Sequence, residues 1–110
     1  MARLDASNNR FSGELPGEIG DLSLLNSLRL QHNIFSGPIP RTLGLCKALA
    51  EINLVGNRLN DHIPTSLGSI QVLNYLNLSD NQLSGHIPKN LSSLKLNLLY
   101  FSNNVISPPE

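Results

Sequence analysis

The sequence of 110 residues predicts an α/β solenoid, and three observations carry that expectation. Asparagines recur at Asn9, Asn33, Asn57, Asn81 and Asn104, with spacings of 24, 24, 24 and 23 residues. An apolar set leads into each: Leu25, Leu28 and Leu30 before Asn33, Leu49, Ile52 and Leu54 before Asn57, Leu73, Leu76 and Leu78 before Asn81, Leu96, Leu99 and Phe101 before Asn104. The first copy is partial, with Leu4 and Ala6 before Asn9. A six-residue phrase then returns each time: "FSGELP" from Phe11, "FSGPIP" from Phe35, "LNDHIP" from Leu59 and "LSGHIP" from Leu83. A fixed period of this length marks a stack of coils, each contacting only its neighbours.

Each element follows from local spacing. Leu28 and Leu30 alternate with Arg29, as a strand with one buried face requires. Each repeat thus contributes one short strand, and neighbours pair in parallel, about 4.8 Å apart. The resulting sheet forms the concave face. The asparagines fall where the chain leaves the strand. A buried amide there offers two donors and an acceptor to backbone groups that would otherwise be unpaired, so the five form a structural ladder. In "FSGPIP", Phe35 and Ile39 point to the core, Gly37 permits a backbone conformation other residues resist, and Pro40 ends the ladder. Leu43, Cys46 and Leu49, three residues apart, read as a helical or 3-10 turn on the convex side.

The pattern L-x-x-L-x-L-x-x-N is the leucine-rich repeat signature. The chain reads as one domain, 1–110, of about 4.5 repeats: 1–25 partial, 26–49, 50–73, 74–96 and 97–110 partial. Composition agrees, with 22 leucines, 14 asparagines and no tryptophan. Eight basic residues balance eight acidic ones, which removes the electrostatic motive for nucleic acid or an anionic membrane. The opening "MARLDASNNR" has no apolar run and reads as no signal peptide. No segment approaches the roughly 18–20 apolar residues of a membrane helix. No catalytic constellation, cofactor motif or metal-ligand spacing appears, so neither enzyme activity, cofactor nor metal is expected.

These residues resemble the plant-specific class of leucine-rich repeats, L-x-x-L-x-L-x-x-N-x-L-S-G-x-I-P-x-x-L-G-x-L, over nearly the whole chain. The resemblance implies a second short sheet from the L-x-G-x-I-P segments and a right-handed superhelical twist. More narrowly, "LNYLNLSDNQLSGHIPKNLSSLKLNLLYFSNN", with its one-residue deletion, resembles the last repeats of subfamily XI, HAIKU-type receptor kinases. Such receptors bind secreted peptide hormones through an extracellular solenoid at the plasma membrane, contact a co-receptor kinase, and carry a cytosolic kinase. The family's cap modules, membrane helix and kinase are absent from this sequence. It therefore reads as a non-catalytic fragment of a receptor ectodomain, with a stand-alone interaction, inhibitor or decoy protein as the alternative. Open ends predict end-to-end self-association.

Residues of the concave face follow from the register. The binding-surface candidates are Arg29, Gln31, His32, Glu51, Asn53, Tyr75, Asn77, Asp80 and Tyr100. Tyr75 and Tyr100 fall in adjacent columns one coil apart and are hot-spot candidates, with a merely solvated sheet as the bland alternative. Receptors of this class that clamp a peptide carboxylate use two arginines on one strand; here Arg29 has no such partner. Cys46 shares its register with Leu22, Ile70 and Leu94, a core position. His62 and His86 occupy equivalent places and are expected to stack about 5 Å apart on the second sheet. Asp61 stands where the corner has glycine, predicting strain or a reshaped turn. Two sequons, at Asn77 and Asn90, are candidate N-glycosylation sites, the second on the accessible convex turn.

Overall fold

A computed structural model describes residues 2–94, 96 and 98–107. Ten strands and four short 3-10 helices follow one another along them, two strands before each helix and two at the end. The strands β1 (Ala2–Asp5), β3 (Leu25–Arg29), β5 (Glu51–Asn53), β7 (Tyr75–Asn77) and β9 (Leu98–Tyr100) form one parallel sheet in that order. The strands β2 (Ser12–Glu14), β4 (Ile34–Gly37), β6 (Arg58–His62), β8 (Gln82–His86) and β10 (Val105–Ser107) form a second, also parallel. The convex turns are 3-10 helices at Gly17–Asp21, Arg41–Leu45, Thr65–Ser69 and Lys89–Ser93, and among the described residues none is an α-helix. Each begins after a proline, Pro16, Pro40, Pro64 or Pro88, whose fixed φ suits the entry. The core lies between the sheets and these turns. Leu28, Leu43, Leu49, Ile52, Leu67 and Leu76 are wholly buried there.

The asparagines tie consecutive coils together. Asn57 Oδ1 accepts the N–H of Phe35 in the preceding coil at 3.1 Å. Its Nδ2 donates to Leu30 O of that coil at 3.0 Å and to Leu54 O of its own at 3.1 Å. Asn33, Asn81 and Asn104 repeat this pattern, their Oδ1 atoms accepting the N–H groups of Phe11, Leu59 and Leu83. Asn9 is exposed and bonds only its own coil, to Ala6 O and Ser7 O at 3.0 Å each.

The two sheets do not share a register. In the first, residues 24 apart face each other, as Leu28 faces Ile52 and Ile52 faces Leu76. In the second the offset is 22, and 21 across the last pair: Gly13 faces Phe35, and His62 faces Ser84 rather than His86. The two histidines are therefore not stacked as the repeat alone suggests. The His62 ring instead lies over Gly85, where a Cβ would stand 3.1 Å from it.

Asp61 keeps the corner its neighbours make. Its φ of 69° matches the 76° of Gly37 and 79° of Gly85, and its Oδ1 accepts the N–H of His62 at 2.9 Å. Aspartate is among the few residues that enter this region with help from a local hydrogen bond. Cys46 is fully buried, and its thiol donates to Ile19 O at 3.3 Å. Burial, with the charge of Asp21 second, pushes the thiol pKa up, so the thiolate is disfavoured. Phe35 is only half-buried and stacks on Phe11 with centroids 6.4 Å apart, while Leu22, in the first coil, is exposed.

A second ladder runs along the convex side. Thr42 Oγ1, Ser66 Oγ and Asn90 Nδ2 reach back to Gly17 O, Arg41 O and Thr65 O, each at 2.7 Å. They pass over Gly20, Gly44 and Gly68, which have no room for a side chain: a Cβ on Gly44 would stand 2.6 Å from Ser66 O. Ser92 takes the glycine's place in the fourth coil.

Two stability outcomes follow. Asn57→Ala strips Phe35 N–H and two carbonyls of a buried partner and should cost about 3 kcal/mol or more, against under about 1 kcal/mol for Asn9→Ala, by urea denaturation. Gly44→Ala forces the convex turns apart and should cost about 2 kcal/mol in the same measurement.

Candidate functional site

The concave sheet presents its outward side chains in columns set by the register. Ser27, Glu51, Tyr75 and Leu98 form one, and Arg29, Asn53, Asn77 and Tyr100 the next. The columns gather the candidates of β3, β5, β7 and β9 on one surface, in two chemically different halves.

The half toward the N-terminus is internally paired. Arg29 Nη2 lies 3.1 Å from Glu51 Oε2, and Arg29 Nε donates to Glu51 Oε1 at 3.2 Å. Ser27 Oγ donates to the same Oε1 at 2.6 Å. Burial pushes the Glu51 pKa up, but the Ser27 and Arg29 hydrogen bonds and the charges of Arg29 and Arg3 outweigh it, so the net shift is downward. Asn53 Oδ1 accepts the N–H of Val55 at 3.2 Å and Asn77 Oδ1 that of Ser79 at 3.2 Å, closing the strand ends. Gln31 is half-buried, its Oε1 enclosed without a hydrogen-bond partner among the described residues.

The half toward the C-terminus is aromatic and open. Tyr75 and Tyr100 meet with centroids 6.1 Å apart at 58°. Asn77 Nδ2 donates to Tyr75 Oη at 3.1 Å and fixes that ring. Leu98 and Tyr100 are each 44% exposed, so an apolar shelf faces solvent. Leu98 sits in a column the sequence defines, but its place on the shelf depends on the tyrosine rings. His32 and Asp80 lie past the strand ends and are exposed: with φ of 60° and 59° they form the turn just before the ladder asparagine. The His32 ring lies against Gly56, and Asp80 accepts from Asn103 Nδ2 at 2.6 Å.

Both sequon asparagines use their amide nitrogens, Asn77 on Tyr75 and Asn90 on the Thr65 carbonyl, so Asn90 is exposed without being idle. Among the described residues no group of three or more His, Cys, Asp or Glu side chains could hold a metal, and no helix is long and apolar enough to cross a membrane.

With this geometry in place, the Leucine Rich Repeat model matches residues 2–22, 24–46 and 72–94. The chain belongs to the leucine-rich repeat family. It superposes with TM-score 0.93 and 47% identity on a chain of the Arabidopsis thaliana receptor kinase HAESA structure, solved with the peptide hormone IDA and the co-receptor SERK1. The match covers 96% of this chain and 18% of that one. The ectodomain of the Arabidopsis receptor kinase GASSHO1/SCHENGEN3, in complex with CASPARIAN STRIP INTEGRITY FACTOR 2, gives TM-score 0.90 at 42% identity, over 94% of this chain and 13% of that one. A chain of the Arabidopsis BIR3–SERK2 complex gives 0.89 at 37%, over 94% and 56%. The chain thus spans from about an eighth to just over half the length of these structures. No curated protein sequence matches it significantly. The leucine-rich repeat chain has the fold of plant receptor-kinase ectodomains, two parallel sheets and 3-10 turns included.

The ion pair sets one pH outcome. Because the Glu51 pKa is lowered in the fold, its contribution is present above the unfolded carboxylate value of about 4.3 and is lost as pH falls through the lower folded value. With Arg29 and Glu51 side chains 34% and 26% exposed, the contribution is below about 1 kcal/mol. Wild type should exceed Glu51→Gln in urea stability at neutral pH, and the gap should close below about pH 4.

Proposed function

We propose that this chain is a ligand-binding part of a plant receptor-kinase ectodomain, from the membrane-proximal repeats of a subfamily XI, HAIKU-type receptor. It contributes to perception of a secreted peptide hormone and to contact with a co-receptor ectodomain, on the outer side of the plasma membrane. The parent carries the kinase, and this segment binds without catalysing. The observation that carries the reading is the Tyr75–Tyr100–Leu98 shelf. Exposed aromatic and aliphatic groups on a rigid sheet supply contact area at small entropic cost, and tyrosine is enriched among hot spots. The relatives support the reading: the HAESA structure holds a peptide hormone and a co-receptor, and the GASSHO1/SCHENGEN3 ectodomain is in complex with CASPARIAN STRIP INTEGRITY FACTOR 2. Arg29 is held by Glu51 and has no second arginine on its strand, so the Arg-x-Arg clamp for a peptide carboxylate does not lie on this strand.

Replacing Tyr100 by a photo-crosslinking phenylalanine analogue tests this in plant extracellular fluid. The expected product joins the chain to a secreted peptide or a receptor-kinase ectodomain, and Tyr75→Ala reduces it about tenfold or more. Capture of a wall-degrading enzyme instead would establish the inhibitor alternative. Equal crosslinking from Leu45, exposed on the convex side, would remove the shelf from the function.

A further inference from the structure

The face carrying the second sheet holds a groove separate from the concave shelf. It has a volume of about 520 Å³ and lies between the third and fourth corners of the solenoid. Three basic side chains line it: His62 and His86, each in the X position of X-I-P, and Lys89 just past Pro88. Among the described residues no acidic one does. The nearest carboxylate in sequence, Asp61, has an oxygen engaged by the N–H of His62 at 2.9 Å. The lining is otherwise mainly aliphatic and proline surface, with Pro64 and Ile87 among it. Gly85, at φ 79°, gives the His62 ring room to lie over the groove wall.

The first two corners lack the histidines. Glu14 and Pro38 stand where the third and fourth corners have histidine, and Glu18 adds a second carboxylate to the first. Arg41 follows Pro40 as Lys89 follows Pro88, but only the third and fourth corners set two imidazoles beside their lysine.

We infer that this groove binds a short acidic segment of a partner protein, with carboxylates at His62, His86 and Lys89 and an aliphatic or proline residue on the floor. A pocket of this size takes a few residues. Charge complementarity selects carboxylates, and the apolar floor selects a peptide over a carboxylated sugar, whose hydroxyls would go unpaired there.

Amide NMR of the isotope-labelled chain, titrated with the probe acetyl-Pro-Val-Glu-Asp-Glu-amide, tests the site. Shifts should concentrate at the non-proline residues of 62–65 and 85–89. Affinity should fall about tenfold when His62, His86 and Lys89 are all replaced by alanine, the sum of a few partly exposed charge contacts, and should fall with added salt. The variant with glutamine at the same three positions keeps side-chain bulk and should lose the same affinity, while Glu14→Gln should change nothing. An unchanged amide fingerprint outside the groove verifies folding. Shifts confined to the concave face, equal binding of the Gln/Asn counterpart peptide, or wild-type affinity in the glutamine variant would overturn the inference. Tighter binding of trigalacturonate in the same groove would also overturn it, in favour of an acidic polysaccharide.

Discussion

The amide of the ladder asparagine is the interaction on which the stack depends. Each coil is too short to bury an apolar face alone, and it leaves the first sheet with backbone groups pointing along the solenoid axis. A side chain at that point must accept one N–H from the coil before and donate to carbonyls of two coils. Aspartate lacks the donors and leucine has neither function; asparagine supplies both at the right length. Asn33, Asn57, Asn81 and Asn104 make the same set of bonds, so each coil is registered on the last by a side chain as well as by its strands. The second strand of each coil begins where one of these amides receives its N–H.

Much of this was legible in the sequence. Spacing of 24 placed the asparagines, the inward leucines and the concave columns, because the first sheet pairs residues one repeat apart. The convex ladder was harder to see. Thr42, Ser66 and Asn90 look like unrelated surface residues until one finds that each lies over a glycine of the coil before. The second-sheet register was invisible for a physical reason. It is set by where the ladder amide pairs with the preceding coil, two residues past that coil's own asparagine, and not by sequence equivalence. Of the concave candidates, the backbone role of His32 and Asp80 was also hidden, since left-handed φ at a non-glycine residue leaves only a faint trace in composition.

The concave face shows how a surface of uniform geometry divides by chemistry. Its polar half satisfies itself: Ser27, Arg29 and Glu51 answer one another, and Asn53 answers the backbone. Groups already paired contribute little net energy to a visitor, since new bonds replace existing ones. The aromatic half has no such internal partner for its apolar area, so contact energy is concentrated toward Tyr75, Leu98 and Tyr100.

The difference in offset between the sheets has an evolutionary consequence. On the inner face, neighbours across coils are copies of the same repeat position, so duplicating a repeat duplicates a pair of neighbours intact. On the lateral face each residue meets one displaced by two positions, about 6.6 Å along the strand. Duplication there always juxtaposes different positions of the consensus. The inner surface can therefore be lengthened without changing its character, whereas every inserted coil gives the lateral surface a new combination of side chains.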